Sequence, residues 1–167
     1  MLGRGLAVAA AATLLDQASK ALLMGFFGGP ACAFQRREVT GFFNLVLACN
    51  SGVSFGMFNR AGVNALVFGL VAGVIVIALL VWLGRVRSGF LAVAIGLVIG
   101  GAVGNLIDRL RLGAVVDFLD FHLGTWHWPA FNFADSAIFL GVMAMLLDGM
   151  LLRHPPSQAE RGEDVAP

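Results

Sequence analysis

An all-α membrane protein with four transmembrane helices is the fold class this chain predicts, on three observations. Hydrophobic residues make up 59% of its 167 residues and charged residues only 13%, with a mean hydropathy of +0.87. That leaves too little polar surface to cover a water-soluble globule of this length. Four stretches reach the roughly 20 mostly apolar residues a spanning helix needs: Leu6 to Phe27, Ala61 to Leu83, Gly89 to Leu106 and Phe133 to Leu152. The connections alternate between very short and long, as they do when helices cross a bilayer and gather their loops on one face. A net charge of +1, with no basic cluster interleaved with aromatics, gives no sign of a nucleic-acid partner.

The first stretch follows a weakly basic Met1-Leu-Gly-Arg-Gly, and Leu6 to Leu15 has the length of a secretory signal core. The apolar run continues past Lys20, which favours a retained helix. Asp16 and Lys20 stand at i, i+4 and project from one side of that helix, where opposite charges can pair. A charge near the centre of a span costs about 2.5 to 3.5 kcal/mol on insertion scales. The two readings are a structural ion pair that fixes the helix to its neighbours and a direct role at a functional site.

Gly41 to Ala48 changes period from helical to alternating and is rich in β-branched and aromatic residues, which predicts a short strand on the membrane surface. Gly28 to Val39 before it carries no usable signature. The second and third helices are joined by the short link Gly84-Arg-Val-Arg-Ser88 and form a hairpin; segments 28 to 60 and 107 to 132 must then emerge on the opposite face. Lys and Arg counts on the two faces tie, but the density of Arg85 and Arg87 in the short link puts it, and both termini, in the cytoplasm. The third helix carries Gly96, Gly100 and Gly104, a small-residue stripe for close helix packing. Gly101, Asn105 and Arg109 repeat at the same spacing and lead to the membrane edge. Asn105 and Arg109 either hold a peptide backbone or phosphate-like headgroup, or Arg109 snorkels and pairs with Asp108.

Ala114 to His122 predicts a second strand, with Val115, Asp117, Leu119 and Phe121 on one face and Val116, Phe118, Asp120 and His122 on the other. Asp117 then points with the apolar set, and Asp120 beside His122 is expected to be solvated. Asn132 and Asp135 open the fourth helix with the spacing of a cap and its reciprocal acid, so plain capping accounts for them. Capping leaves Asp117 unexplained. Two carboxyls sharing a proton at a partly dry site, one ionised and one protonated, form a device that activates water and polarises a carbonyl. The tail 155–167 has nothing to bury and is expected to be disordered, outside a single domain of residues 1–154. Cys32 and Cys49 form a disulfide if their side is oxidising, or remain two ordinary thiols.

Several blocks in order resemble a known family. Asp16-Gln-Ala-Ser-Lys20, Asn50-Ser-Gly-Val-Ser-Phe-Gly56, Gly100 to Arg109, Val116-Asp-Phe118 and Phe131-Asn-Phe-Ala-Asp135 are similar, in order and spacing, to the five motif blocks of bacterial lipoprotein signal peptidase, or signal peptidase II. The likeness spans nearly the whole chain. It implies an aspartic endopeptidase of the bacterial inner membrane that cleaves signal peptides from prolipoproteins on the N-terminal side of a diacylglyceryl-modified cysteine, at the extracytoplasmic face. Asp117 and Asp135 match the catalytic pair. Asp16, Lys20, Asn50, Gly52, Asn105, Arg109, Asn132 and Ala134 fall on residues that line or support the site. The resemblance further implies a small extracytoplasmic β-cradle, a mobile surface helix over the site, and sensitivity to the cyclic peptide globomycin, with no metal, cofactor or obligate protein partner.

Three rival readings stand beside this one, and the residues alone discount the first. A zinc peptidase wants a His-Glu-x-x-His helix, whereas His122 and His127 have no such glutamate. A serine and lysine peptidase would use Ser54 or Ser136 with Lys20. A small ion or proton transporter would relay through Asp16, Lys20, Asp117 and Asp135, but related halves and interrupted helices are not evident.

Overall fold

Four apolar helices form a bundle with a small antiparallel sheet at one end, in a computed structural model that describes residues 1–29, 32–51 and 61–151, the side chains of 61–65 and 151 lying outside that description. The chain order is α1 (Leu2–Phe27), β1 (Gln35–Thr40), β2 (Phe43–Asn50), α2 (Ala61–Leu83), α3 (Gly89–Leu112), β3 (Val115–Leu123), β4 (Trp126–His127) and α4 (Phe133–Leu151). All four helices are long and apolar enough to cross a membrane. The sheet means that the fold is four apolar helices plus a small sheet rather than all-α. Gly52, Ser54 and the tail 155–167 lie outside the described residues, and the expected surface helix has no counterpart among those described.

Helix α3 is the centre of the bundle. Of its span 61% is buried, against 17%, 11% and 11% for those of α1, α2 and α4, and it packs on all three other helices. Glycine makes this possible. A Cβ at Gly96 or Gly100 would run into the α1 backbone at Gly5 or Ala9, and one at Gly101 into the Ala134 carbonyl of α4. Close backbone approach of this kind is how helices associate where lipid removes the hydrophobic drive between them. The opposite surfaces of the outer helices, with Leu14, Leu22, Leu66, Val74, Ile77, Leu146 and Met150, stay exposed as a lipid-facing belt.

Helix α3 begins at a Ser88 cap, whose hydroxyl accepts from Leu91 N–H at 3.2 Å, and stops at Gly113 with φ 72°. It therefore runs beyond the expected end at Leu106, carrying Asp108 and Arg109 on helical backbone to the sheet. The sheet order is β1-β2-β3-β4, all antiparallel. Strands β2 and β3 are the two the sequence predicted, displaced by one or two residues. Edge strand β1, mostly polar and exposed, and the two-residue β4 were not expected. A bulge between Leu45 and Ala48 shifts the β2–β3 register, and Ala48 then pairs with Asp117. Cys32 and Cys49 form a disulfide that ties the segment before β1 to the end of β2.

Candidate active site

Asn132 holds the two acids that the sequence singled out. Its side-chain amide donates to Asp117 Oδ1 at 2.7 Å, and its backbone N–H donates to Asp135 Oδ2 at 3.2 Å. In return Asp135 N–H donates to Asn132 Oδ1 at 2.9 Å, which closes a reciprocal cap on α4. Capping and acid pairing are thus one arrangement. The cap sets Asp135 at the positive end of α4, while the amide left over reaches Asp117 on β3.

Further amides complete the frame. Asn50 Nδ2 donates to Asp117 Oδ2 at 3.2 Å, and Asn105 Nδ2 donates to Asp135 Oδ1 at 2.8 Å. Asp117 is 3% exposed and Asp135 half-buried. Burial, then the Asp135 charge, pushes the Asp117 carboxyl up from 3.8 to about 6, against the pull of Asn50, Asn132 and Lys20. A cavity of about 440 Å³ lined by Trp128, Phe131, Asp135, Ser136, Phe139 and Leu140 reaches Asp135, with mostly apolar walls.

Beneath the pair lies a buried polar cluster that ties α1, α3, β3 and α4 together. Lys20, 1% exposed, donates to Asp16 at 2.8 Å and to Asn105 Oδ1 at 3.1 Å, and pairs with Asp108 at 2.7 Å. Asp16 also accepts from Ala134 N–H at 3.0 Å, satisfying an orphan donor in the first turn of α4. The Asp16–Lys20 pair is an ion pair whose lysine reaches both Asp108 of α3 and Asn105, the amide bonded to Asp135. Ala134 is fully buried where Gly101 crosses, so a larger side chain there has no room.

The structure removes one alternative, an Arg109–Asp108 pair, and corrects one expectation, a solvated Asp120. Asp108 pairs with Lys20 rather than with Arg109, because successive helix residues point about 100° apart. Arg109 instead donates to the Asn105 carbonyl at 3.3 Å and lies over the Phe68 ring, 5.9 Å from its centroid. Asp120 is buried rather than solvated, accepting from Asn44 at 2.8 Å and lying 2.8 Å from His127 Nδ1. Burial pushes the Asp120 carboxyl up, but the bonds from Asn44 and His127 outweigh it and hold it below the usual value. Ser136 donates its hydroxyl to the Asn132 carbonyl at 3.0 Å, away from the Lys20 partners. Sequence reasoning missed Gln17 and Asp108 as members of the cluster. The signal was present, since Asp108 stands at i+3 from Asn105 and i+4 from Gly104 on the buried face of α3.

These features define an integral membrane protein that brings two carboxyls together where its helices meet a small sheet. Residues 8–151 match the family model described as signal peptidase (SPase) II. The chain is 45% identical over 166 residues to a lipoprotein signal peptidase of Rhizorhabdus wittichii, covering 96% of this chain and 94% of that one. It is 46% identical over 138 residues to a lipoprotein signal peptidase of Ralstonia nicotianae, covering 81% and 77%. Its fold is similar to that of a bacterial membrane enzyme solved by the in meso method at 2.3 Å resolution, with a TM-score of 0.72, 28% identity, and coverage of 98% of this chain and 95% of that one. The chain belongs to the signal peptidase II family, a family of proteases.

Proposed function

We propose that this chain is an aspartic endopeptidase that cleaves signal peptides from diacylglyceryl-modified prolipoproteins, with Asp117 and Asp135 as its catalytic pair. The observation that carries this reading is the single asparagine, Asn132, bonded to both carboxyls. Asp117, with its raised value, holds the proton, and Asp135 is the base. Water between them loses a proton to Asp135 and attacks the carbonyl before the lipidated cysteine, while Asp117 donates to the carbonyl oxygen. The tetrahedral intermediate collapses as the amine leaves with a proton from the pair.

The surrounding residues then have distinct tasks. Asn132, Asn105 and Asn50 aim the carboxyls; Asp16, Lys20 and Ala134 dock the elements that carry them. Arg109, whose buried Nε has no hydrogen-bond partner among the described residues, is left to meet the peptide backbone or a headgroup. Gly52 shares this supporting role by its place in the motif. The enzyme works in the bacterial inner membrane, with both termini cytoplasmic and the acids at the extracytoplasmic face. The Cys32–Cys49 disulfide beside the site supports that orientation, since such bonds persist on the oxidising side. The sheet acts as a cradle for the peptide, a short surface helix covers it, and globomycin-type cyclic peptides compete for the same place.

Purified protein incubated with a diacylglyceryl-modified prolipoprotein tests the reading. Wild type releases the signal peptide, while Asp117→Asn and Asp135→Asn fold and do not. Retained turnover in either variant removes that residue from the pair.

A further inference from the structure

Among the described residues, no strand lies beside the start of β3 on the edge that faces the helices. Strand β2 occupies the other edge, and pairing with β4 begins only at His122. A buried strand edge of this kind must find other partners for its N–H and C=O groups. At Val116, fully buried, both groups go to side chains. Asp108 Oδ2 accepts from the Val116 N–H at 3.1 Å, and Asn132 Nδ2 donates to the Val116 carbonyl at 3.2 Å. The next residue is Asp117.

Asp108 is itself held on three sides. It is 4% exposed, pairs with Lys20 at 2.7 Å, and accepts from Gln17 Nε2 at 2.9 Å through its other oxygen. Gln17 also reaches the Gly104 carbonyl at 3.1 Å, which ties α1 to α3 at the same level. The carboxylate of Asp108 therefore joins the backbone of β3 to the ion cluster of α1, one residue before the acid. Strand side chains alternate, so a slip or twist at Val116 would carry Asp117 away from Asp135 and Asn132.

We propose that Asp108 is a positioning residue for signal-peptide hydrolysis: it clamps the Val116 peptide so that Asp117 faces Asp135. The proposal rests on the catalytic reading of Asp117 given above. Asp108 touches neither reacting carboxyl and acts through the strand. Among the described residues, Asp135 of α4 and Lys20 of α1 act on Asp117 through their charges, and Lys20 is itself paired with Asp16 and Asp108. Asp108 therefore bears on the pair through Lys20, whose charge it partly offsets.

The test measures kcat, KM, the pH profile and thermal melting of the full chain in detergent micelles, with a diacylglyceryl-modified prolipoprotein as substrate. Misplacement of a reacting group by about 1 Å costs on the order of a hundredfold in rate, so Asp108→Ala is expected to lose about a hundredfold in kcat and Asp108→Asn, which keeps an acceptor for Val116, about tenfold. KM stays within about twofold in both, because the binding cavity is untouched. Asp108→Asn leaves Lys20 with Asp16 as its remaining carboxylate partner, so Lys20 draws Asp117 toward ionisation more strongly and the alkaline limb of the pH profile moves to lower pH. A kcat within about threefold of wild type in folded Asp108→Ala overturns the proposal, taking threefold as well below the loss expected from misplacement. So does a loss that only follows the folded fraction with the alkaline limb unmoved. Should Asp108→Ala fail to fold, Gln17→Leu, which frees one side of Asp108, decides: severalfold lower kcat at unchanged KM supports the clamp, and wild-type kcat sinks it. Turnover by Asp117→Asn would end the catalytic reading itself, whereas an inactive Asp117→Asn beside a fully active Asp108→Ala would end only this inference.

Discussion

Replacing Asp117 by asparagine should abolish cleavage and yet stabilise the protein at alkaline pH. The Asp117 carboxyl titrates at about 6 instead of the ordinary 3.8, first because it is buried and then because Asp135 is near. An acid raised in the folded state penalises that state wherever the unfolded chain ionises it. The penalty is absent below about pH 4, grows as pH rises from about 4 to 6, and is complete above that. About two powers of ten in ionisation correspond to ~3 kcal/mol. Asparagine has nearly the same shape and no charge, so it removes the penalty. It also turns an amide donor toward one of two donors already there, Asn50 at 3.2 Å or Asn132 at 2.7 Å. That loss costs about 1 kcal/mol. The net is a gain of ~2 kcal/mol at pH 8 and a loss of ~1 kcal/mol at pH 4. At roughly 2 to 4 °C per kcal/mol for a chain this size, Asp117→Asn should melt several degrees above wild type at pH 8 and slightly below it at pH 4. Thermal scans in detergent at the two pH values read this directly. A variant that melts no higher at pH 8, or by a margin that does not change with pH, would refute the claim that burial and Asp135 raise the Asp117 carboxyl.

The same raised carboxyl predicts that kcat/KM falls as pH climbs past about 6, when Asp117 loses the proton it must donate; a flat profile across that range would take the acid role from it. Lys20→Met strands Asp16 and Asp108 as buried unpaired acids and should cost ~3 to 5 kcal/mol, read as a lower melting temperature and poor folded yield. A variant as stable as wild type would show that the cluster carries no net ion pairing. Gly101→Val drives a side chain into the Ala134 carbonyl and the Ile138 side chain, and should cost ~1 to 3 kcal/mol and shift the cap that holds Asp135. Gly3→Ala, with nothing within 4 Å, is the control, and equal activity in the two variants would count against the close α3–α4 approach.

The readable part of the fold was the part governed by composition and period. Hydropathy located four spans, and the alternation of Gly41 to Ala48 and of Ala114 to His122 located the two central strands to within one or two residues. Strand β1 escaped because Gln35-Arg-Arg-Glu carries no apolar alternation; it is an exposed edge strand held by backbone bonds to β2. Helix α3 outran its apolar run because a helix stops where the backbone does, at Gly113, and not where its side chains turn polar. Asp120 was misjudged as solvated because its cover, Asn44 and His127, comes from neighbouring strands. The site was legible as a set of residues. Motif order pointed to Asp117, Asp135 and their supporting asparagines, and the capping spacing of Asn132 and Asp135 was visible directly.

Burial free energy depends on which residues are apolar and at what period, so the bundle, the central strands and the presence of two costly acids are written along the chain. Who meets whom depends on distances between segments that periodicity does not specify. Only the packing of α1 on α3 gave Lys20 to Asp108 rather than leaving Arg109 as its partner. Only the docking of β3 against α4 let one asparagine serve both carboxyls, because hydrogen bonds and ion pairs act over about 3 Å while the groups they join lie many residues apart.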